Sequence, residues 1–316
     1  MKIIKISILL ALICSSFIIF KKQCTPPNAR WRIGILQTAS HPALDAVREG
    51  FIEQLQEELH HDVQCIIQNA EGNISHAHAI AQRFHADKTI DGIFTIATPA
   101  TQAQASIETK KPIFFAAVTD PHALGFVHPT TNICGASDMI DVEKEIDLLV
   151  NLVPHAKKVG LIFNTAEVNS IILISKMKNE LQKRNLTPLD FGVTSEADIP
   201  AAIEVACRKT DALLAPTDNT IASTIDLIAS IALKHKKPLI VSDNLLVSHG
   251  ALAASGVDYK ESGRQAARLA YAVLVDGKKP FELPIAQPQS NIVLINKKTL
   301  GILGLTIPKT SKIMLL

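Results

Sequence analysis

The sequence predicts an α/β protein of two similar lobes, each a doubly wound parallel sheet with helices on both faces. Three observations carry that expectation. From Trp31 onward, short β-rich runs alternate with helical stretches, the rhythm of a parallel sheet covered on both sides. The pattern then restarts with matched landmarks in the same order. Finally, 316 residues of 47% hydrophobic content exceed what one core normally absorbs, and chains of this size split into domains.

The elements follow in order. Arg32 to Leu36 is a strand, and Pro42 to His60 carries Leu44, Val47, Phe51, Leu55 and Leu59 at helical spacing. Val63 to Gln68 is a strand, and Ser75 to His85 is a helix capped by Asn73 or Ser75. Gly92 to Ala97 and Pro112 to Val118 are apolar strands. The restart begins at Lys158-Val-Gly-Leu-Ile-Phe-Asn164, which echoes Arg32-Ile-Gly-Ile-Leu-Gln37. Asp211-Ala-Leu-Leu-Ala-Pro-Thr217 echoes the run from Asp91 to Thr98, and Lys236-Lys-Pro-Leu-Ile-Val echoes Lys110-Lys-Pro-Ile-Phe-Phe. A later helix, Lys260 to Val275, and a strand, Ile292 to Ile295, follow both lobes, so the chain is expected to cross back. The expected division is 30–138 with 259–287 for lobe one and 139–258 with 288–308 for lobe two.

Residues 1–29 stand apart as a leader or anchor plus linker. Lys2 and Lys5 precede an uncharged, mostly apolar run from Ile6 to Phe20, shorter than the roughly 20 residues of a membrane span but suited to a signal-peptide core. The protein is expected to be exported, to the periplasm or the outer face of the cytoplasmic membrane. The segment ends by cleavage, by lipidation near Cys14 or Cys24, or as an uncleaved anchor marked by Lys21-Lys22, and these alternatives stay open. The net charge of +2 gives no electrostatic footprint for nucleic acid. The five cysteines form no CxxC and no Cys/His cluster, which argues against a disulfide scaffold or structural zinc. Cys65, Cys134 and Cys207 read as buried thiols, although one pair could bridge in an exported protein.

Ligands of open α/β sheets bind beyond the carboxyl ends of the strands. Those ends carry Gln37, Thr38, Ser40 and His41, then Thr98, Pro99 and Thr101, then Thr119 and Asp120, then Ser137 and Asp138. The second half supplies Asn164, Asn169 and Ser170, then Thr217, Asp218, Asn219 and Thr220, then Ser242, Asp243 and Asn244, and last Asp258-Tyr259. Many of these residues serve as helix N-caps. If the lobes face each other, the same turns converge on one cleft. Helix N-termini there suit a carboxylate, and the aspartates suit an ammonium. With no Lys or Arg in the turns, the favoured ligand is a zwitterion over a phosphate or sulfate ester, and a neutral polyol stays open as the alternative.

Several stretches together resemble one family. They are Gly34 to Asp45 (GILQTASHPALD), Ile96 to Ala103 (IATPATQA), Val118 to Pro121 (VTDP) and Ser137 to Lys144 (SDMIDVEK). Ala166 to Ser170 (AEVNS), Pro216 to Thr220 (PTDNT) and Val257 to Gln265 (VDYKESGRQ) complete the set. The chain is similar to the tryptophan/tyrosine-type substrate-binding proteins of bacterial ABC transporters from about Trp31 to Pro308. The resemblance implies a type I periplasmic-binding fold with three hinge crossings, a small ligand trapped by closure, and a membrane permease with its ATPase as partners. No cofactor and no metal are expected. On the matching motifs, ligand contacts fall at Gln37, Ser40, Thr98, Pro99, Thr119, Asp120, Ser137, Asp138, Asn169, Ser170, Asp218, Asn219 and Asp243. An amino acid is the expected ligand, with an aromatic one favoured.

Other functions fit less well. An enzyme of doubly wound fold would need a catalytic or cofactor motif, and GxGxxG, GxxxxGK[ST] and GxSxG are all missing. Metal binding by His76 and His78 is disfavoured, because helix positions two apart face different ways. A ligand-sensing receptor of the same fold is the remaining alternative.

Overall fold

The computed structural model describes residues 29–288, 293–307 and 313–316, so the expected leader lies outside the described residues. No helix among them is long and apolar enough to cross a membrane. The first sheet holds β1 (Trp31–Gln37), β2 (Val63–Asn69), β3 (Gly92–Ile96), β4 (Ile113–Val118) and β5 (Ile133–Ser137), all parallel in the order β2-β1-β3-β4-β5. Its helices are α1 (Pro42–Glu58), α2 (Ile74–Ala86) and α3 (Thr98–Ala105). The chain then runs through α4 (Val142–Leu152) into β6 (Lys158–Asn164), β7 (Thr187–Val193), β8 (Ala212–Ala215), β9 (Leu239–Asp243) and β10 (Ala253–Val257). These five strands repeat the first order, as β7-β6-β8-β9-β10, again parallel. They are wrapped by α5 (Val168–Lys183), α6 (Ile199–Lys209), α7 (Asn219–Ser223) and α8 (Ile225–Lys234).

The duplicated motifs have duplicated work. The Asp91 carboxylate accepts the Arg32 amide at 2.8 Å and so pins the start of β1. Asp211 does the same for β6, accepting the amides of Lys157 and Lys158 at 2.9 and 2.8 Å. The second lysine of each Lys-Lys-Pro caps open carbonyls at the C-terminal end of an earlier helix, α2 in the first lobe and α6 in the second. Lys111 Nζ donates to Phe84 O and Asp87 O, both at 2.6 Å, and Lys237 Nζ donates to Thr210 O at 2.6 Å. Between these anchors the central strands are wholly apolar or nearly so, and β3, β4, β8 and β9 are buried along their length. Phe51 of α1 stacks on Phe94 of β3 with ring centroids 3.7 Å apart.

After β10 the chain returns to the first sheet as α9 (Tyr259–Leu274), capped by Asp258, whose Oδ1 accepts the Glu261 amide at 3.0 Å. It lies against α1 so closely that glycine is required on both sides. A Cβ on Gly50 would sit 2.1 Å from Lys260 O, and one on Gly263 would sit 2.1 Å from Val47 O. Ala286 then bridges to Ala136 beside the first sheet, before β11 (Val293–Ile295) pairs antiparallel with β10. The helix α10 (Lys297–Leu303) and the edge strand β12 (Ile313–Leu315), which pairs with β11, were not anticipated. β12 is only three residues long, too short for a period to register. Cys65, Cys134 and Cys207 form no disulfide among the described residues, and burial pushes the first two thiols up to about 12.

The α1–α9 contact gives a direct test. Replacing Gly263 by Ala forces the two backbones apart and is expected to cost about 1–3 kcal/mol, the range of overpacked cores. Urea unfolding of the variant against the native protein measures it; an unchanged midpoint would contradict the close approach.

Candidate ligand-binding site

In a sheet of order 2-1-3-4-5, the crevice lies at the carboxyl ends where the winding reverses, between the first and third strands. Here those are the ends of β1 and β3 in one lobe and of β6 and β8 in the other, and the two crevices face each other. Between them lies a narrow cavity, lined by Thr98, Thr119 and Asp138 from the first sheet and by Asn169, Asp218, Asn219 and Asp243 from the second. His41, Tyr259, Pro216, Thr217 and the apolar Leu44, Ala97, Ala117, Ala222 and Leu246 complete the wall. At its centre it is wide enough for little more than a water molecule, so a larger ligand enters only when the lobes part. Ala97 and Ala117 hold left-handed backbone, with φ of 75° and 57°. Such strain costs about 1–3 kcal/mol per residue and gathers at ligand sites.

The polar groups divide into those already satisfied and those that are not. Asp218 is fully committed. Its Oδ2 accepts the Asn164 amide and Ser170 Oγ, both at 2.6 Å, and its Oδ1 accepts the Ile221 amide at 2.9 Å. Asp243 Oδ1 accepts the Leu245 amide at 2.8 Å. Asp138 Oδ2 accepts the Tyr259 hydroxyl at 3.2 Å, while its Oδ1 is buried with no partner. Asn169 Nδ2 donates to Thr217 O at 2.9 Å, and its Oδ1 is likewise unpartnered. Thr98 Oγ1 and His41 Nδ1 join this group. Four buried polar atoms without partners, all on cavity-lining residues, are out of keeping with a finished core, where such groups are nearly always bonded.

The structure spreads the sequence-derived positions over several places. Thr98, Thr119, Asp138, Asn169, Asp218, Asn219 and Asp243 line the cavity. Ser40 and Pro99 line a neighbouring chamber between the lobes, which also reaches Asn219. Gln37, Ser137 and Ser170 line neither. Gln37 is held by Ala39 O, Asp45 and Arg48; Ser137 Oγ donates to Thr119 O at 3.0 Å; Ser170 braces Asp218. Asp120 lies at the rim, 3.8 Å from Lys176 of the opposite lobe. His41 and Tyr259, read among the strand-end residues but not among the expected ligand contacts, also line the cavity, and Glu167 was not among those contacts either. The Glu167 carboxylate lies behind the cavity and accepts from Asn219 and Thr220, backbone and side chain alike. Glu167 stands at the N-cap of α5, within the Ala166–Ser170 stretch, and that place was its sequence signal.

No Lys or Arg lines the cavity among the described residues. Burial raises Asp138 to about 6 and, helped by the nearby Asp138, Asp243 to about 7. Burial beside Glu167 raises Asp218 to about 7. Behind them Glu145 is pushed up to about 8 by burial, with only the Ser242 hydroxyl, 2.9 Å from each carboxyl oxygen, to moderate it. This is an environment short of positive charge, and a cation entering it takes the place of protons. The starts of α3 and α5 lie at the same cavity through Thr98 and Asn169, where backbone amides favour a carboxylate.

A family model described as ABC transporter substrate binding protein matches residues 32–313. The chain belongs to that family. Among these substrate-binding proteins, the tyrosine-binding protein of Clostridioides difficile (strain R20291) is 36% identical over 89% of this chain and 83% of its own length. A crystal structure of an ABC domain from Streptococcus pneumonia in complex with L-Trp superimposes with a TM-score of 0.85 at 32% identity, covering 90% of this chain and 99% of that one. The ligand-free, open structure of a substrate binding protein from Clostridium difficile reaches only 0.68, at 33% identity and the same coverage. In this substrate-binding protein the lobes are closed, meeting at His41 Nε2–Asn219 Oδ1 (3.4 Å) and Thr119 Oγ1–Thr217 Oγ1 (3.5 Å). The two-lobe architecture is that of the type I periplasmic-binding fold.

Glu145 supplies a pH test of the buried acids. Its carboxyl is raised in the folded state, so its contribution to stability is fully present below the unfolded value near 4.5 and is lost as pH rises through about 8. Glu145→Gln removes that loss. The variant is expected to gain stability relative to the native protein between pH 5 and 9, read by denaturant midpoints across that range. A constant difference would mean that Glu145 is already charged in the fold.

Proposed function

We propose that this protein is the extracytoplasmic solute-binding component of an ABC importer, and that it traps a zwitterionic amino acid between its lobes for delivery to a permease. The observation that carries the ligand class is the set of unpartnered buried atoms on the cavity wall beside Asp243. In this reading, Asp138 Oδ1 and the Asp243 carboxylate hold the ammonium, and the starts of α3 and α5 receive the carboxylate. The apolar wall of Leu44, Ala97, Ala117, Ala222 and Leu246 takes the side chain. An aromatic amino acid is favoured by the tyrosine-binding relative and by the neighbour that carries L-Trp. Thr98, Thr119, Asn169 and Asn219 supply further polar contacts. Ser40 and Pro99 border the adjoining chamber, and Gln37, Ser137, Ser170 and Asp218 hold the binding residues in place. The apolar run at residues 6–20 serves as the export signal or anchor, which places the lobes outside the cytoplasmic membrane.

Closure works as a hinge motion driven by differential affinity. The ligand meets one lobe first, and the second lobe completes the set of contacts. Micromolar binding needs roughly −8 kcal/mol, which charge-assisted hydrogen bonds and ring burial can supply.

Calorimetry on refolded protein, titrated with each of the twenty amino acids, tests this. One-to-one binding of L-tyrosine or L-tryptophan is expected. Asp138→Asn and Asp243→Ala should each weaken it strongly by removing an ammonium partner. The native affinity should also fall as pH drops below 6 to 7, by up to about tenfold per unit for each carboxyl that must ionise. Silence across all amino acids, or binding indifferent to both substitutions, overturns the ligand assignment.

A further inference from the structure

The residue in the cavity with the least structural excuse is His41. It stands at the N-cap of α1, yet its side chain makes no capping hydrogen bond. It is buried, and burial holds its imidazole below the ordinary histidine range. One ring nitrogen, Nε2, faces Asn219 Oδ1 of the opposite lobe at 3.4 Å; the other, Nδ1, is buried without a partner on a residue of the cavity wall.

The orientation of the Asn219 amide is dictated from behind. Glu167 Oε2 accepts the Asn219 backbone amide at 3.1 Å and also faces the Asn219 side-chain nitrogen. A carboxylate only accepts, so the Asn219 NH2 must turn to Glu167 and its Oδ1 must turn to His41. An oxygen that only accepts can be met only by a protonated Nε2. In a neutral ring that leaves Nδ1 as a bare lone pair.

We infer that Glu167 and Asn219 are positioning residues that fix His41 as a hydrogen-bond acceptor in the closed cavity, and that His41 selects ligands carrying a ring N–H or O–H. The inference rests on the amino-acid reading given above. Asp138 and Asp243 are the stronger acceptors and take the ammonium, so the His41 lone pair is left for a neutral donor on the side chain. The apolar residues beside it suit the ring that would carry such a donor. The preferred class is then a hydroxylated or nitrogen-bearing aromatic amino acid, with phenylalanine excluded because it leaves Nδ1 buried and unsatisfied. The selection belongs to the closed state, because His41 and Asn219 sit on opposite lobes.

The test uses the full chain with L-tyrosine, L-tryptophan and L-phenylalanine. Long-range proton–nitrogen correlation spectra of the L-tyrosine complex should show His41 neutral, with Nε2 protonated and Nδ1 bare. L-Phenylalanine should bind at least about tenfold more weakly than L-tyrosine, the scale of one buried unsatisfied acceptor. His41→Phe, which sacrifices no cap, should bring the two affinities together. Glu167→Gln can let the Asn219 amide turn over, so it should blur the His41 tautomer and shrink the preference. A protonated Nδ1 in the native complex overturns the proposal, as does equal binding of tyrosine and phenylalanine or full preference in His41→Phe. If tyrosine binds with its preference and Glu167→Gln folds but leaves the tautomer and preference untouched, the relay falls while the amino-acid reading stands. If no amino acid binds the native protein, that reading falls and this one with it.

Discussion

A carboxyl group buried with one oxygen unpartnered is an expensive thing to build, and Asp138 is such a group at the point where the two sheets end against each other. Much of the architecture around it can be understood as support for that single expense. Tyr259 satisfies the other oxygen, and Tyr259 reaches it because α9 returns from the second sheet to the first. α9 can lie close enough because Gly50 and Gly263 let its backbone approach that of α1. From the opposite lobe Asp243 adds a second buried carboxyl beside it. Neither sheet offers a basic side chain to the pair among the described residues of the cavity wall. The charge that balances them has to come from solution.

Among the described residues, the polar side-chain contacts that join the lobes directly are few and long. The His41–Asn219 and Thr119–Thr217 pairs lie near the limit of a hydrogen bond, and the Asp120–Lys176 pair is a rim ion pair of the kind worth roughly 0–1 kcal/mol. A closed state held so lightly leaves the balance between open and closed within reach of one ligand's differential affinity. The strain held at Ala97 and Ala117 has the same flavour. The site is shaped in advance, and its stability is borrowed from the strands behind it.

The repeat was legible because duplicated residues hold duplicated joints. Asp91 and Asp211 pin equivalent strands, and Lys111 and Lys237 cap equivalent helix ends, so their spacing in the sequence is a record of topology. The turns that face the cleft were legible for a related reason, since strand ends in such sheets have only one place to point. Which side chains point inward was not legible. Asp218 and Asp243 look alike as residues that follow a strand, yet one is spent entirely on protein amides and hydroxyls while the other keeps an oxygen uncommitted among the described residues. Gln37 and Ser170 occupy equally promising turns and turn back into the protein. Glu167 was illegible because its role depends on Asn219, a residue far away in the chain.

The return of α9 also bears on the order in which the molecule can assemble. The first sheet is made early in synthesis, but the helix that covers it is made only after all the parallel strands of the second sheet. Chains gain structure in units as they emerge, so the later half has everything it needs for its five parallel strands while the earlier half still waits for its cover. The lobe that comes first in sequence therefore gains this cover only after the second lobe's parallel strands are made, and the two glycines at that joint act on the timetable of folding as much as on its end point.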